Sequence, residues 1–239
     1  MRIIGISGRK QAGKNTVANF ITGCIIKDRA MVSDFDIGDK GELEIETQDV
    51  KGAKGWGIFD ITRKDTNFVS YAEQELWPHV KLYHFADCLK HLSVSLFDLE
   101  PRQVYGTDED KNSMTKYGQT AREFLQYFGT DIMRKIKDTV WVDYTLKLIQ
   151  EEQSSVALIP DVRFPNEIDA IQKAGGIVLR LTRDVYSDNH RCESALDRDN
   201  FDWSKFDHVV DNNTDVAGLI KILEEQKHIW SDINASNIH

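Results

Sequence analysis

Short, unbroken apolar runs alternate with amphipathic stretches along most of this chain. Ile3, Ile4 and Ile6 form the first run, and an isoleucine-rich segment of that kind predicts a strand covered on both faces. Val17, Phe20, Ile21 and Cys24 then recur at helical spacing over residues 14–26. Residues 81–85 read as the next core strand. Ala86 opens a helix with Leu89, Leu92, Leu96 and Phe97 along one stripe and Asp87 available as a cap. Phe124, Leu125 and Phe128 give residues 120–129 a buried stripe, with Gly129 as a stop and Thr130 capping a short piece to Lys137. Trp141, Tyr144, Leu148 and Ile149 set a helix over 139–153. A strongly apolar strand over 155–161 ends in the carboxylate of Asp161. A helix over 167–174 after Asn166, a strand over 177–181, a short strand at Val209 and Val210, a turn and cap over 211–214 and a helix over 216–226 complete the series. Such alternation predicts an α/β fold, a parallel sheet with helices on both faces.

Three stretches break the pattern. Between residues 34 and 77, glycines separate short segments in which apolar and acidic residues alternate, as in Leu43-Glu44-Ile45-Glu46. That predicts a small β-rich insertion on the surface, in preference to a ligand lid. Residues 106–116 are polar and read as a loop. The polar stretch over 182–207 is too long for an idle connection inside a compact domain. The core is accordingly 1–33 with 78–228, and 229–239 reads as a disordered tail.

Composition narrows the class. Of 239 residues 41% are hydrophobic, and no run approaches the length of a membrane span. No charged-then-apolar leader precedes the first strand, and the three cysteines are scattered, which suits a cytoplasmic protein without a disulfide framework. The formal net charge of −9 argues against a duplex-binding protein. A few converging cations still suffice for a small anion.

The candidate chemistry begins where the first strand ends. Gly8-Arg9-Lys10-Gln11-Ala12-Gly13-Lys14-Asn15-Thr16 lies between a strand and a helix, the context that a phosphate-binding loop requires. Gly8 and Gly13 allow amides to point inward, the helix start adds partial positive charge, and Lys14 reaches terminal phosphates. Asn15 stands where Ser or Thr usually holds Mg²⁺, with Thr16 one place later, an arrangement common in nucleoside monophosphate kinases. Asp161 sits where such folds place a carboxylate near the metal. No Glu follows it to orient an attacking water, which favours phosphoryl transfer over hydrolysis. A phosphate acceptor is already ionised near neutral pH, so the site needs cations more than a base. Lys10, Lys14, Lys90, Lys111, Arg122, Arg163, Arg183 and Arg191 stand in loops or at element ends.

Taken in order, GRKQAGKNT, FADCLK, TAREFLQYFGTD, Trp141-Val142, PDVRFPNE, NHRCESAL and FDHVVDNNT resemble the deoxynucleoside monophosphate kinases of bacteriophages, least so over residues 34–75. The resemblance implies a P-loop kinase fold that transfers a phosphoryl group from ATP, with Mg²⁺, to a deoxynucleoside 5′-monophosphate, giving the diphosphate and ADP. It assigns Gly8, Gln11, Gly13, Lys14, Asn15, Thr16, Arg183 and Asn212 to ATP. It assigns Lys10, Leu89, Lys90, Lys111, Arg122, Gly129, Thr130, Trp141, Asp161 and Arg163 to the monophosphate. Lys14, Asp161 and Arg163 become the catalytic set, and Thr16 with Asp161, the latter directly or through water, the metal ligands. Residues 183–208, with His190, Cys192 and Glu193, are lid-like, and a homodimer follows by analogy. Two other readings stay open: another small-molecule P-loop kinase, such as one acting on dephospho-coenzyme A, and a slowly hydrolysing regulatory module.

Overall fold

The computed structural model describes residues 1–48, 51–184 and 194–231. Its central sheet comprises β1 (Arg2–Ser7), β5 (Val80–Leu82), β6 (Val156–Val162), β7 (Ile177–Leu181) and β8 (His208–Val210). The order is β5-β6-β1-β7-β8, and every pairing is parallel. β1 lies in the middle, with Ile3 opposite Ala157 and Ile4 opposite Leu158 on one side and Ile4 opposite Ile177 on the other. Alternate residues of β1 serve different cores. Ile4 and Ile6 join α1 (Lys14–Asp28) and α10 (Val216–Glu225), whereas Ile3 joins α3 (Phe85–Phe97), α8 (Val140–Glu152) and α9 (Pro165–Lys173). Ile3, Ile4 and Ile6 are at most 2% exposed, which is why this strand carries no polar alternation.

The predicted insertion forms an antiparallel sheet of β2 (Phe35–Ile37), β3 (Leu43–Gln48) and β4 (Lys54–Ile58), ordered β2-β3-β4. Its later part is helical, α2 (Thr66–Tyr71) running into a π-helical turn at Ala72–Leu76. Leu43, Phe68, Ala72 and Leu76 are buried in the same cluster as α1, so the insertion extends the core.

Three local expectations change. The strand expected over 81–85 stops at Leu82, because Phe85 already belongs to α3. Residues 106–116 contain α5 (Asp108–Lys111), started by Thr107, whose hydroxyl accepts from Asp110 N–H while the Asp110 carboxylate accepts from Thr107 N–H. Gly129 stops nothing: α6 (Ala121–Gln126) runs into a π-helical segment, Tyr127–Met133, and then α7 (Arg134–Ile136). A Cβ on Gly129 would stand 2.5 Å from Leu89 Cδ2, so the residue is there for close approach to α3. Ile229 is buried in a last turn, and residues 232–239 of the expected tail lie outside the described residues.

Candidate active site

Chain order in the sheet reverses around β1: the chain leaves it for the far edge, returns to β6, then crosses to β7. Open α/β sheets place ligands at such a point, beyond the carboxyl ends of the strands. A cleft of about 660 Å³ lies there. Lys10, Gln11, Gly13, Lys14, Asn15 and Thr16 line it from the loop after β1. Leu89, Lys90, Lys111, Arg122, Gly129, Thr130, Trp141, Asp161 and Arg163 line it from elsewhere. Gly8, Arg183 and Asn212 are not in its lining.

The loop side is built of backbone. Gln11 and Gly13 have φ of 61° and 92°, the left-handed turns that curl the chain into a nest. No side chain caps the start of α1 at Gly13, so its first amides face the cleft. Lys14 Nζ donates to the carbonyls of Gly8 and Arg9, each at 2.7 Å. Behind the loop, buried Asn212 donates to Ala12 O at 2.6 Å and accepts from Arg183 N–H at 2.9 Å. These two predicted ATP contacts therefore meet each other in a brace under the loop. A second brace runs through Arg9, which pairs with Asp197 and, at 3.4 Å, with Asp184. Buried Arg180 joins it, donating to Ser7 Oγ at 3.0 Å with Asp197 at 3.5 Å.

The facing side is built of side chains. Asp108 accepts from Lys10 Nζ at 2.6 Å and from Arg122 Nη2 at 2.9 Å, so one carboxylate gathers two predicted cations. The hydrogen bond from Lys10 is the main reason the Asp108 carboxyl titrates below its usual range. Burial first, and then the charge of Lys90, pull Lys111 below the ordinary lysine range, as expected in a pocket with surplus positive charge. Asp161 accepts from the amides of Phe85 at 3.1 Å and Ala86 at 3.2 Å. It thereby caps α3, the role expected of Asp87, which instead contacts His84 and Lys90. Trp141 Nε1 donates to Gly129 O at 3.1 Å and pins the π-helical segment against the cleft.

Sequence reasoning missed four lining residues with charged side chains: Lys40, Asp108, Arg134 and Glu167. Arg134 pairs with Glu167 and stacks 4.0 Å from the centre of the Phe164 ring. Glu167 also accepts from Arg163 N–H at 2.6 Å and Phe164 N–H at 3.0 Å. Burial pushes its carboxyl up, and the Arg134 charge opposes that. Glu167 lay in the quoted PDVRFPNE run; nothing local marked the other three. His190, Arg191, Cys192 and Glu193 lie outside the described residues.

The family model for deoxynucleotide monophosphate kinases matches residues 78–223, which carry the facing side of this cleft. The chain belongs to that family. A protein of Acanthamoeba polyphaga mimivirus, provisionally named a deoxynucleotide monophosphate kinase, is 33% identical over 128 residues. That match covers 47% of this chain and 66% of the mimivirus protein, just under two thirds of its length. The phosphate loop precedes the stretch that the kinase family model matches, so its assignment stands on geometry and motif. Among the described residues no helix is long and apolar enough to cross a membrane.

Proposed function

We propose that this kinase moves the terminal phosphoryl group of ATP to a deoxynucleoside 5′-monophosphate, yielding the diphosphate and ADP. The observation that carries the reading is the cleft itself, where an uncapped helix start with a glycine loop shares the lining with Lys90, Lys111, Arg122 and Arg163 from four other segments. Donor phosphates would lie on the loop amides with Lys14 at their end. The acceptor phosphate would be drawn in by Lys10, Lys90, Lys111, Arg122 and Arg163. Arginine suits this work because its fork grips two oxygens at once and keeps its charge. Holding both anions in line supplies most of the catalysis, since the attacking oxygen needs no base. Trp141, Leu89 and Leu125 offer apolar wall to the base and sugar.

Mg²⁺ fits this site as a passenger on the triphosphate. Among the described residues no three acidic, histidine or cysteine side chains are grouped to hold a metal alone. Magnesium in phosphoryl-transfer sites is held largely by substrate phosphates and water. When bound it neutralises phosphate charge. Asp161, oriented by two amides, would meet it through water. Thr16, the expected metal ligand, lies buried under Gly41 while Asn15 beside it is exposed, so Asn15 is the better placed of the two.

The test is a panel of ribo- and deoxyribonucleoside monophosphates with γ-labelled ATP. Label should enter a nucleoside diphosphate and stay on ATP when no acceptor is present. Release as inorganic phosphate at a rate indifferent to the acceptor would favour the hydrolysing module instead.

A further inference from the structure

The insertion brings into the cleft a residue that the kinase family match does not reach. The turn between β2 and β3 runs Gly38-Asp39-Lys40-Gly41-Glu42 and closes on itself. Gly41 N–H donates to Gly38 O at 2.8 Å, Gly38 N–H to Glu42 O at 2.9 Å, and Lys40 N–H to the Glu42 carboxylate at 3.1 Å. This turn is seated on the opening turns of α1. Asn19 Nδ2 donates to Gly41 O at 2.8 Å. Gly41 has φ +86°, and a Cβ on it would stand 2.1 Å from Thr16 Oγ1, so backbone and side chain both demand glycine. The next residue back, Lys40, is thereby carried into the cleft lining. Asp39 and Glu42 are its acidic neighbours, yet among the described residues the Lys40 ammonium makes no ion pair, whereas Lys10 is held by Asp108.

Resting on the kinase reading above, we infer that Lys40 is a donor-side phosphate-binding residue supplied by the insertion. Its placement follows from the anchor: the turn touches Thr16, two residues after Lys14, where α1 presents its amides to the triphosphate. A flexible ammonium there adds a point charge to a loop that otherwise binds through amides and Lys14. The β-rich insertion is then a working part of the donor site.

Equilibrium binding of ATP and of adenosine, with steady-state kinetics, tests this on Lys40→Gln, Lys40→Arg and Gly41→Ala. Lys40→Gln should weaken ATP binding roughly tenfold, as loss of a charge-assisted contact does. Adenosine binding and the KM for the monophosphate should stay within about twofold. Lys40→Arg should restore most of the loss. Gly41→Ala should reproduce it by unseating the turn, and the double variant should be no worse than Gly41→Ala alone. Should Gly41→Ala fail to fold, the Gln and Arg pair decides. An unchanged ATP affinity in Lys40→Gln, an equal loss for adenosine, or a shift confined to the monophosphate would each overturn the assignment. The acceptor panel separates the two levels: if no label enters a nucleoside diphosphate the kinase reading falls, and if it does while Lys40→Gln binds ATP as the wild type does, only the role of Lys40 falls.

Discussion

The two walls of the cleft are made in opposite ways. The loop after β1 offers its backbone to the cleft, so its proposed role is encoded within nine consecutive residues and a strand–helix context. The facing wall offers side chains from α3, α5, α6, the π-helical segment and the end of β6, each useless until the others are packed beside it. Capping shows the same contrast. Thr120 caps α6 and Asp215 caps α10, each accepting an amide hydrogen bond from its own helix. The start of α1 is left to a glycine and α3 takes its cap from Asp161. A helix start without its own side-chain cap can serve a ligand; one capped from another strand fixes that strand's carboxylate.

That contrast can be broken at several points. Lys14→Met should have the largest effect, a fall in turnover of roughly a hundredfold or more, as when a transition-state charge partner is removed. Turnover close to the wild type in a folded variant would take Lys14 out of the mechanism. Arg122→Ala should next raise the KM for the monophosphate by roughly tenfold or more while that for ATP stays nearly constant. Equal rises would move Arg122 to the donor wall. Gly129→Ala forces a methyl toward Leu89 and should cost about 1–3 kcal/mol in chemical denaturation, the usual price of overpacking. No measurable loss would mean that α3 and the π-helical segment are free to separate.

The smallest effect concerns pH. Lys111 titrates below the ordinary lysine value, so its charge is lost earlier as pH rises, and monophosphate binding should weaken on the alkaline side before 10.5 is reached. Lys111→Arg keeps its charge across that range and should flatten this limb of the KM profile. An unchanged alkaline limb would show that another group sets it.

How much was legible follows from the same division. β1, the loop and α1 were readable because spacing, glycine and burial all act locally, and the α/β alternation followed from unbroken apolar runs. The facing wall was readable only as scattered cations. Lys10 and Asp108 are 98 positions apart, and no pattern in either neighbourhood announces the ion pair. Gly129 looked like a helix stop because glycine usually ends helices, while its cause here is the distant Leu89. Thr107 and Asp110 did carry a capping signal that the polar composition of 106–116 obscured. Lys40 lay in a turn whose seat on α1 depends on tertiary contact alone.

The central claim is that one cleft holds two nucleotides end to end, and a bisubstrate ligand tests it most directly. Adenosine joined to deoxythymidine through a chain of five phosphates should bind about a hundredfold more tightly than ATP or the monophosphate alone, because the second wall engages without a second loss of freedom. Lys14→Met and Arg122→Ala should each remove much of that gain. An affinity no better than that of ATP would contradict the account, leaving a nucleotide site with no acceptor beside it.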